Sequence, residues 1–247
     1  MLLSRGNFNR AAIGAVLLVL FSLCPANAQQ QSASPAATPS GMPPAAPTPA
    51  PPSFVVVIDP SHGGDDKGAV FAPRIFEKEI TLSLARILRN ELEGRGIVVR
   101  MLRDADMKIS LDRRAELCNQ QRPALYVALH AGEPGRGVRV YTSFPAEAGP
   151  VVGRFLPWES AQGASLQRSH AMAREVTRQL QKRDLKAVQL QAFLRPLNNI
   201  VAPAIAVEMA VDRADVRSAE NPKLQAAVAS AIASAIEQAR DHSGVSR

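Results

Sequence analysis

Two histidines and two glutamates stand where the sequence changes from apolar to polar. His62 follows the run FVVVI at 54–58, inside the loop DPSHGG. His130 follows LYVAL at 125–129. Glu208 interrupts the run PAIAVEMAV, and Glu77, in FEKE, stands at the opening of a helical stretch. Two neutral imidazoles and one carboxylate make a three-ligand zinc site with one position open. That donor set suits zinc better than Mg²⁺ or Ca²⁺, which prefer oxygen ligands. A further carboxylate nearby can serve as general base. The residues alone leave simpler roles open. The histidines could be loop residues satisfied by backbone carbonyls. Glu77 could favour a helix N-terminus. Glu208, costly to bury without a partner, could pair with Arg213 or cap a turn. The remaining two of the four histidines offer less: His170 reads as a surface residue beside Arg168, and His242 as part of a C-terminal tail.

The elements that must position these residues alternate. Buried strands are expected at 54–58, 97–102, 124–129, 137–142 and 204–207. Helices are expected at 79–92, 110–120, 165–180 and 222–239. In 79–92 the apolar residues Ile80, Leu84, Ile87, Leu88 and Leu92 are spaced for one helix face. Gly94 and Gly96 end that helix, and Ser110 caps the next. Cys118 lies on an apolar helix face and reads as core. The alternation predicts an α/β fold: one three-layer domain, a mixed, mostly parallel sheet with helices on both faces. In such sheets the ligand crevice lies outside the carboxyl ends of strands, where His62, His130 and Glu208 fall. Residues 143–163 have no clear period and read as a long loop containing Trp158, with 151–160 long enough for a short lid. There is no internal repeat and no phosphate-binding glycine motif.

The chain has 247 residues, of which 46% are hydrophobic and 21% charged, as in a folded protein. Residues 1–28 read as a secretory signal peptide. Arg5 and Arg10 precede the apolar run AAIGAVLLVLFSL, and Ala26-Asn27-Ala28 offers a cleavage site. The run is short for a membrane span, so no stable membrane insertion is expected after cleavage. Residues 29–52 are rich in proline and carry no charge, and read as a disordered linker. Residues 53–247 are the expected folded domain. Losing Arg5 and Arg10 lowers the net charge from +7 to +5, which suits an acidic polymer. The export signal and the lack of an arginine-rich recognition helix speak against nucleic acid. Cleavage also removes Cys24. Cys118 is then the single thiol, and no internal disulfide can form.

The blocks IDPSHGG, FEK, LRDAD, LDRRAELCN, YVALHAG and PAIAVE, in that order, resemble the zinc-dependent N-acetylmuramoyl-L-alanine amidases of the cell-separation and spore-cortex type. The resemblance covers nearly all of residues 54–208. It implies Zn²⁺ held by His62, Glu77 and His130, with Glu208 as the catalytic residue. It implies that Asp66, Gly68, Ala69, Arg103, Arg114 and Asn119 support the crevice. The implied substrate is peptidoglycan, cut between N-acetylmuramic acid and L-alanine, in the periplasm or outside the cell. A protein activator belongs to the same expectation.

The chain departs from the family pattern at several places. Ser61 stands for a glycine, Ala128 and Gly132 for a serine and an asparagine, and MAVDRAD follows Glu208. Ser61 has a Cβ, so its backbone is expected to avoid positive φ. Two rivals remain. One is another zinc amide hydrolase, such as a carboxypeptidase. The other is a catalytically weakened domain that binds or regulates the wall.

Overall fold

A computed structural model describes residues 54–144 and 161–244. The expected signal peptide, the whole expected linker at 29–52, Trp158 and the expected lid at 151–160 lie outside the described residues. In chain order the elements are β1 (Val55–Pro60), β2 (Val70–Ala72), β3 (Ile75–Phe76), α1 (Glu77–Glu93), β4 (Val98–Met101) and α2 (Leu111–Gln121). They continue with β5 (Leu125–Pro134), β6 (Val138–Ser143), α3 (Leu166–Gln181), β7 (Ala187–Ala192), β8 (Ala204–Val211) and α4 (Pro222–His242).

One six-stranded sheet has the order β4-β1-β5-β8-β6-β7, and β2 and β3 form a separate two-stranded ladder. Strands β4, β1, β5 and β8 are mutually parallel. Strand β6 runs antiparallel to β8, and β7 runs parallel to β6. The expected mixed, mostly parallel sheet is therefore present.

Side chains alternate across β1. Val56 and Ile58 face a core shared with Leu84 and Leu88 of α1, Val176 of α3, and Ile232 and Ile236 of α4. Val57 faces the other way. It joins Tyr126 and Ala128 of β5, Ala115 and Cys118 of α2, Leu197 of a short 3₁₀ segment at Leu197–Asn199, and Ile200 just after it. Burial on both faces is why these strands read as unbroken apolar runs. Helix α1 docks through Ile80, Leu84, Leu88 and Leu92, all buried. Each fully buried leucine contributes about 1.5–3 kcal/mol, enough to fix the helix whose first residue is Glu77.

The structure differs from expectation at four places. Strands β5 and β8 continue to pair beyond Leu129 and Val207, through His130↔Glu208, Ala131↔Met209 and Gly132↔Ala210. His130 and Glu208 thus lie inside strands, not in the loops after them. Strand β7 was not expected. It borders the sheet and exposes Val188 and Leu190, so it lacks the continuous apolar run of an inner strand. The β2–β3 hairpin is too short for a periodic signal. Finally, α4 extends to His242, which is helical and not part of a tail. Among the described residues no helix is long and apolar enough to cross a membrane.

Candidate metal centre

Three of the chemistry-bearing residues converge. His62 leaves the end of β1, Glu77 is the first residue of α1, and His130 lies in β5. One donor atom from each lies within 4.8 Å of the others. Glu77 stands between the two rings. Its Oε1 is 2.9 Å from His130 Nδ1 and its Oε2 is 3.2 Å from His62 Nε2. The two ring centroids are 5.9 Å apart, nearly perpendicular. Glu79 points away and is exposed.

The first loop is shaped to present His62. The positive φ falls on His62 itself, at 63°, and Ser61 escapes it as expected. A non-glycine residue held there costs of order 1–3 kcal/mol and persists only where its surroundings fix it. Those fixings are numerous. Arg114 Nη2 donates to the His62 carbonyl at 2.8 Å, and Arg103 Nη2 donates to the Ser61 carbonyl at 3.0 Å. Lys78 Nζ donates to the Gly64 carbonyl at 2.8 Å, and Asp106 accepts from Gly64 N at 2.7 Å. The loop then returns to the start of α1. Glu77 N donates to the Ala69 carbonyl at 2.9 Å and Lys78 N to the Lys67 carbonyl at 3.3 Å, which meets helix donors that have no partner within the helix. Gly68, at φ +64°, has no room for a side chain. A Cβ there would lie 2.6 Å from His62 Cδ2 and 2.7 Å from Glu77 Oε2.

Glu77 is 5% exposed. Burial alone would raise its pKa. Hydrogen bonds with His130 and His62 outweigh that, joined by one from Ala69 N at 3.0 Å, and hold its carboxyl well below the usual carboxylate range. The hydrogen bond to Glu77 raises the pKa of His62, against burial, and Asp66 adds to the rise. The cluster is therefore one ionised carboxylate flanked by two imidazoles, the donor types that a zinc site uses.

Each ring nitrogen that faces away from Glu77 has its own oxygen. Asp66 Oδ1 is 2.9 Å from His62 Nδ1, and Ser61 Oγ is 2.8 Å from His130 Nε2. Glu208 lies beside the cluster on β8, directly paired with His130. Glu208 is 8% exposed. Tyr141 OH donates to Oε2 at 2.8 Å, and Arg139 Nη1 donates to Oε1 at 3.2 Å. Glu208 therefore does have an ion-pair partner, but it is Arg139 of β6 and not Arg213. Gly132 leaves space over this carboxylate, since a Cβ there would lie 3.2 Å from Glu208 Oε1.

Supporting residues act at different depths. Arg114 and Arg103 hold the first loop. Arg114 also pairs with buried Asp59, and Arg103 donates to the Pro60 carbonyl at 2.9 Å. Asp66 orients His62. Asn119 is further off. It bonds Asn199 O at 2.8 Å and Val201 N at 2.9 Å, and so fixes the segment entering β8. Arg139, Tyr141 and the Ser61 hydroxyl were not picked out by sequence reasoning. Arg139 and Tyr141 are two residues apart in a strand and so share a face, a signal present in GVRVYT once Glu208 is known to sit opposite.

Residues 56–238 match the family described as N-acetylmuramoyl-L-alanine amidase. This chain belongs to that family. The amidase AmiC of Neisseria meningitidis serogroup B is 37% identical over 91 residues, 35% of this chain and 22% of the relative. The amidase AmiC of Escherichia coli O6:H1 is 41% identical over 78 residues, 31% of this chain and 19% of the relative. The similarity thus spans about a fifth of each of these two relatives. Among solved structures, the amidase AmiC2 of Nostoc punctiforme superposes with a TM-score of 0.60 at 25% identity, covering 76% of this chain and 97% of that one. The amidase fold therefore accounts for the described domain.

Proposed function

We propose that this chain is a zinc-dependent hydrolase of peptidoglycan that cuts the amide between N-acetylmuramic acid and L-alanine. The observation that carries the reading is the convergence of His62, Glu77 and His130, with Glu208 paired to His130 on the adjacent strand. Two imidazoles and a carboxylate fit zinc by donor type and number. Bound zinc would supply Lewis acidity, polarising a carbonyl and lowering the pKa of water towards about 7. The protein supplies the rest. Glu208 takes the proton from the attacking water and hands it to the departing L-alanine nitrogen. Water oxygen joins the lactyl carbonyl carbon, the C–N bond breaks, and the amine leaves protonated. Tyr141 and Arg139 hold the Glu208 carboxylate in one orientation, so the base is aimed before substrate arrives.

The same reading assigns export to residues 1–28, a tether to 29–52 and catalysis to 53–247, with action in the periplasm or outside the cell. The positive mature chain suits an acidic wall polymer. Mass spectrometry of purified sacculi incubated with the protein tests the proposal. Stem peptides with free L-alanine amino ends are expected, blocked by a chelator and restored by zinc. Binding to sacculi without release of stem peptides, with zinc and candidate protein activators supplied, would replace the hydrolase with the wall-binding alternative.

A further inference from the structure

Ser61 is 7% exposed and lies between the two histidines in space. Its hydroxyl sits 2.8 Å from His130 Nε2, while His130 Nδ1 lies 2.9 Å from Glu77 Oε1. A neutral imidazole carries its proton on one nitrogen and presents a lone pair on the other. Nδ1 is the nitrogen aimed at the donor cluster, so a cation held there requires Nδ1 bare and the proton on Nε2. That proton then needs an acceptor, and Ser61 Oγ is the atom in place. His62 has the opposite polarity, with Asp66 Oδ1 at 2.9 Å from its Nδ1 and Glu77 Oε2 at 3.2 Å from its Nε2.

The hydroxyl is placed by a rigid backbone. Ser61 N donates to the Leu129 carbonyl at 3.1 Å, one residue before His130. The Ser61 carbonyl accepts from Thr81 Oγ1 at 2.9 Å and from Arg103 Nη2 at 3.0 Å. The first loop is thereby tied to β5 at the point where the ring projects.

We infer that Ser61 is a positioning residue. It holds the His130 ring through Nε2 and so keeps Nδ1 turned towards the donor cluster, with its oxygen in place to accept the Nε2 proton once Nδ1 holds a cation. This rests on the metal site proposed above and assigns a purpose to a side chain where the family resemblance places glycine. Partners of this kind fix the tautomer of a ligand histidine, and their loss typically costs about 10–100-fold in metal affinity.

The full chain, stripped of metal, tests the inference. Zinc affinity is measured by competition with a chromophoric chelator. The protonated nitrogen of His130 is read by long-range ¹H–¹⁵N correlation in ¹⁵N-histidine-labelled protein, in mildly alkaline buffer. Wild type is expected to bind one zinc and, once zinc-loaded, to carry the His130 proton on Nε2. Ser61→Ala is expected to bind zinc about 10–100-fold more weakly and to lose the sharp Nε2–H signal. Its metal-free melting temperature should match wild type, which separates positioning of the ring from folding. Equal zinc affinity in wild type and Ser61→Ala would overturn the inference and leave the metal site standing. So would a zinc-loaded wild type carrying the His130 proton on Nδ1. A wild type that binds no zinc would instead overturn the metal site itself, and the inference with it.

Discussion

His130 and Glu208 are directly opposite each other on the parallel strands β5 and β8. Neighbouring strands lie about 4.8 Å apart, so the backbone ladder sets the spacing between the proposed metal ligand and the proposed base. Neither residue depends on a loop for its position. A carboxylate so placed can reach a water beside the cluster without joining it, and its two oxygens are already held by Arg139 and Tyr141.

That arrangement makes Glu208→Gln the sharpest test of the chemistry. The amide keeps the shape and the contact with Tyr141 but cannot take a proton. Zinc content and wall binding are expected to be unchanged. Turnover is expected to fall by roughly 10²–10⁴, the scale of a positioned acid or base. KM should move little, as for an interaction made in the transition state. Elemental analysis beside steady-state kinetics checks this. Loss of zinc in the variant would make Glu208 a ligand and reverse the division of roles.

Glu77 and Glu79 provide a matched pair. They are two residues apart on α1, yet Glu77 is buried between His62 and His130 while Glu79 is exposed. Glu77→Ala should abolish stoichiometric zinc binding. Glu79→Ala should retain it, with stability changed by no more than about 0.5 kcal/mol, as at an ordinary surface position. Zinc bound only to the folded state would also add stability, by RT ln(1 + [L]/Kd). A chelator should therefore lower the melting temperature of wild type and Glu79→Ala, and leave that of Glu77→Ala unmoved. Retained zinc in Glu77→Ala would return the third ligand to an unassigned carboxylate.

Much of this site could be read from the sequence because inner parallel strands write themselves as apolar runs. FVVVI and LYVAL mark β1 and β5, and a polar residue at the end of such a run is conspicuous. The spacing of Ile80, Leu84 and Leu88 marks α1 and so places Glu77 near its start. What stayed hidden depends on contacts between distant segments. Arg139 and Tyr141 gain meaning only because β6 turns antiparallel beside β8, and no local pattern encodes that reversal. The Ser61 hydroxyl matters only because the first loop is hydrogen-bonded to β5. Strand β7, with Val188 and Leu190 facing solvent, reverses the usual burial of apolar residues.

Cys118 should be chemically silent in the folded protein. It is fully buried on α2, and burial pushes its thiol up to about 12, with the negative Asp59 adding to the effect. The thiolate is the reactive form, and at neutral pH almost none is present. Iodoacetamide at neutral pH is expected to leave Cys118 unmodified in native protein and to alkylate it in urea. Peptide mapping identifies the modified cysteine. Rapid native alkylation of Cys118 would show that α2 opens from the sheet.

The last prediction concerns Arg114, which joins the core to the first loop. Asp59 is fully buried at the end of β1, and Arg114, at 3% exposed, is its ion-pair partner. The same guanidinium donates to the Pro60 carbonyl at 3.0 Å and to the His62 carbonyl at 2.8 Å. Arg114→Met removes all of these donors at once and leaves the Asp59 carboxylate buried with the Tyr126 hydroxyl. Breaking a buried pair from one side costs about 3–5 kcal/mol, so a large fall in the urea midpoint is expected. Removing both charges, in Arg114→Met with Asp59→Asn, should cost less than the sum of the single changes, because no unpaired charge remains. Arg114→Lys keeps the charge but lacks the planar fork that serves a carboxylate and two carbonyls together, and it should fall between wild type and Arg114→Met. Zinc affinity should follow the same order, since the His62 carbonyl loses the contact that helps hold its left-handed backbone. Urea unfolding and chelator competition on all five proteins, Asp59→Asn alone included, check this. Additive losses in the double variant would mean that Asp59 and Arg114 are each held by other groups, and that the loop carrying His62 owes nothing to their pairing.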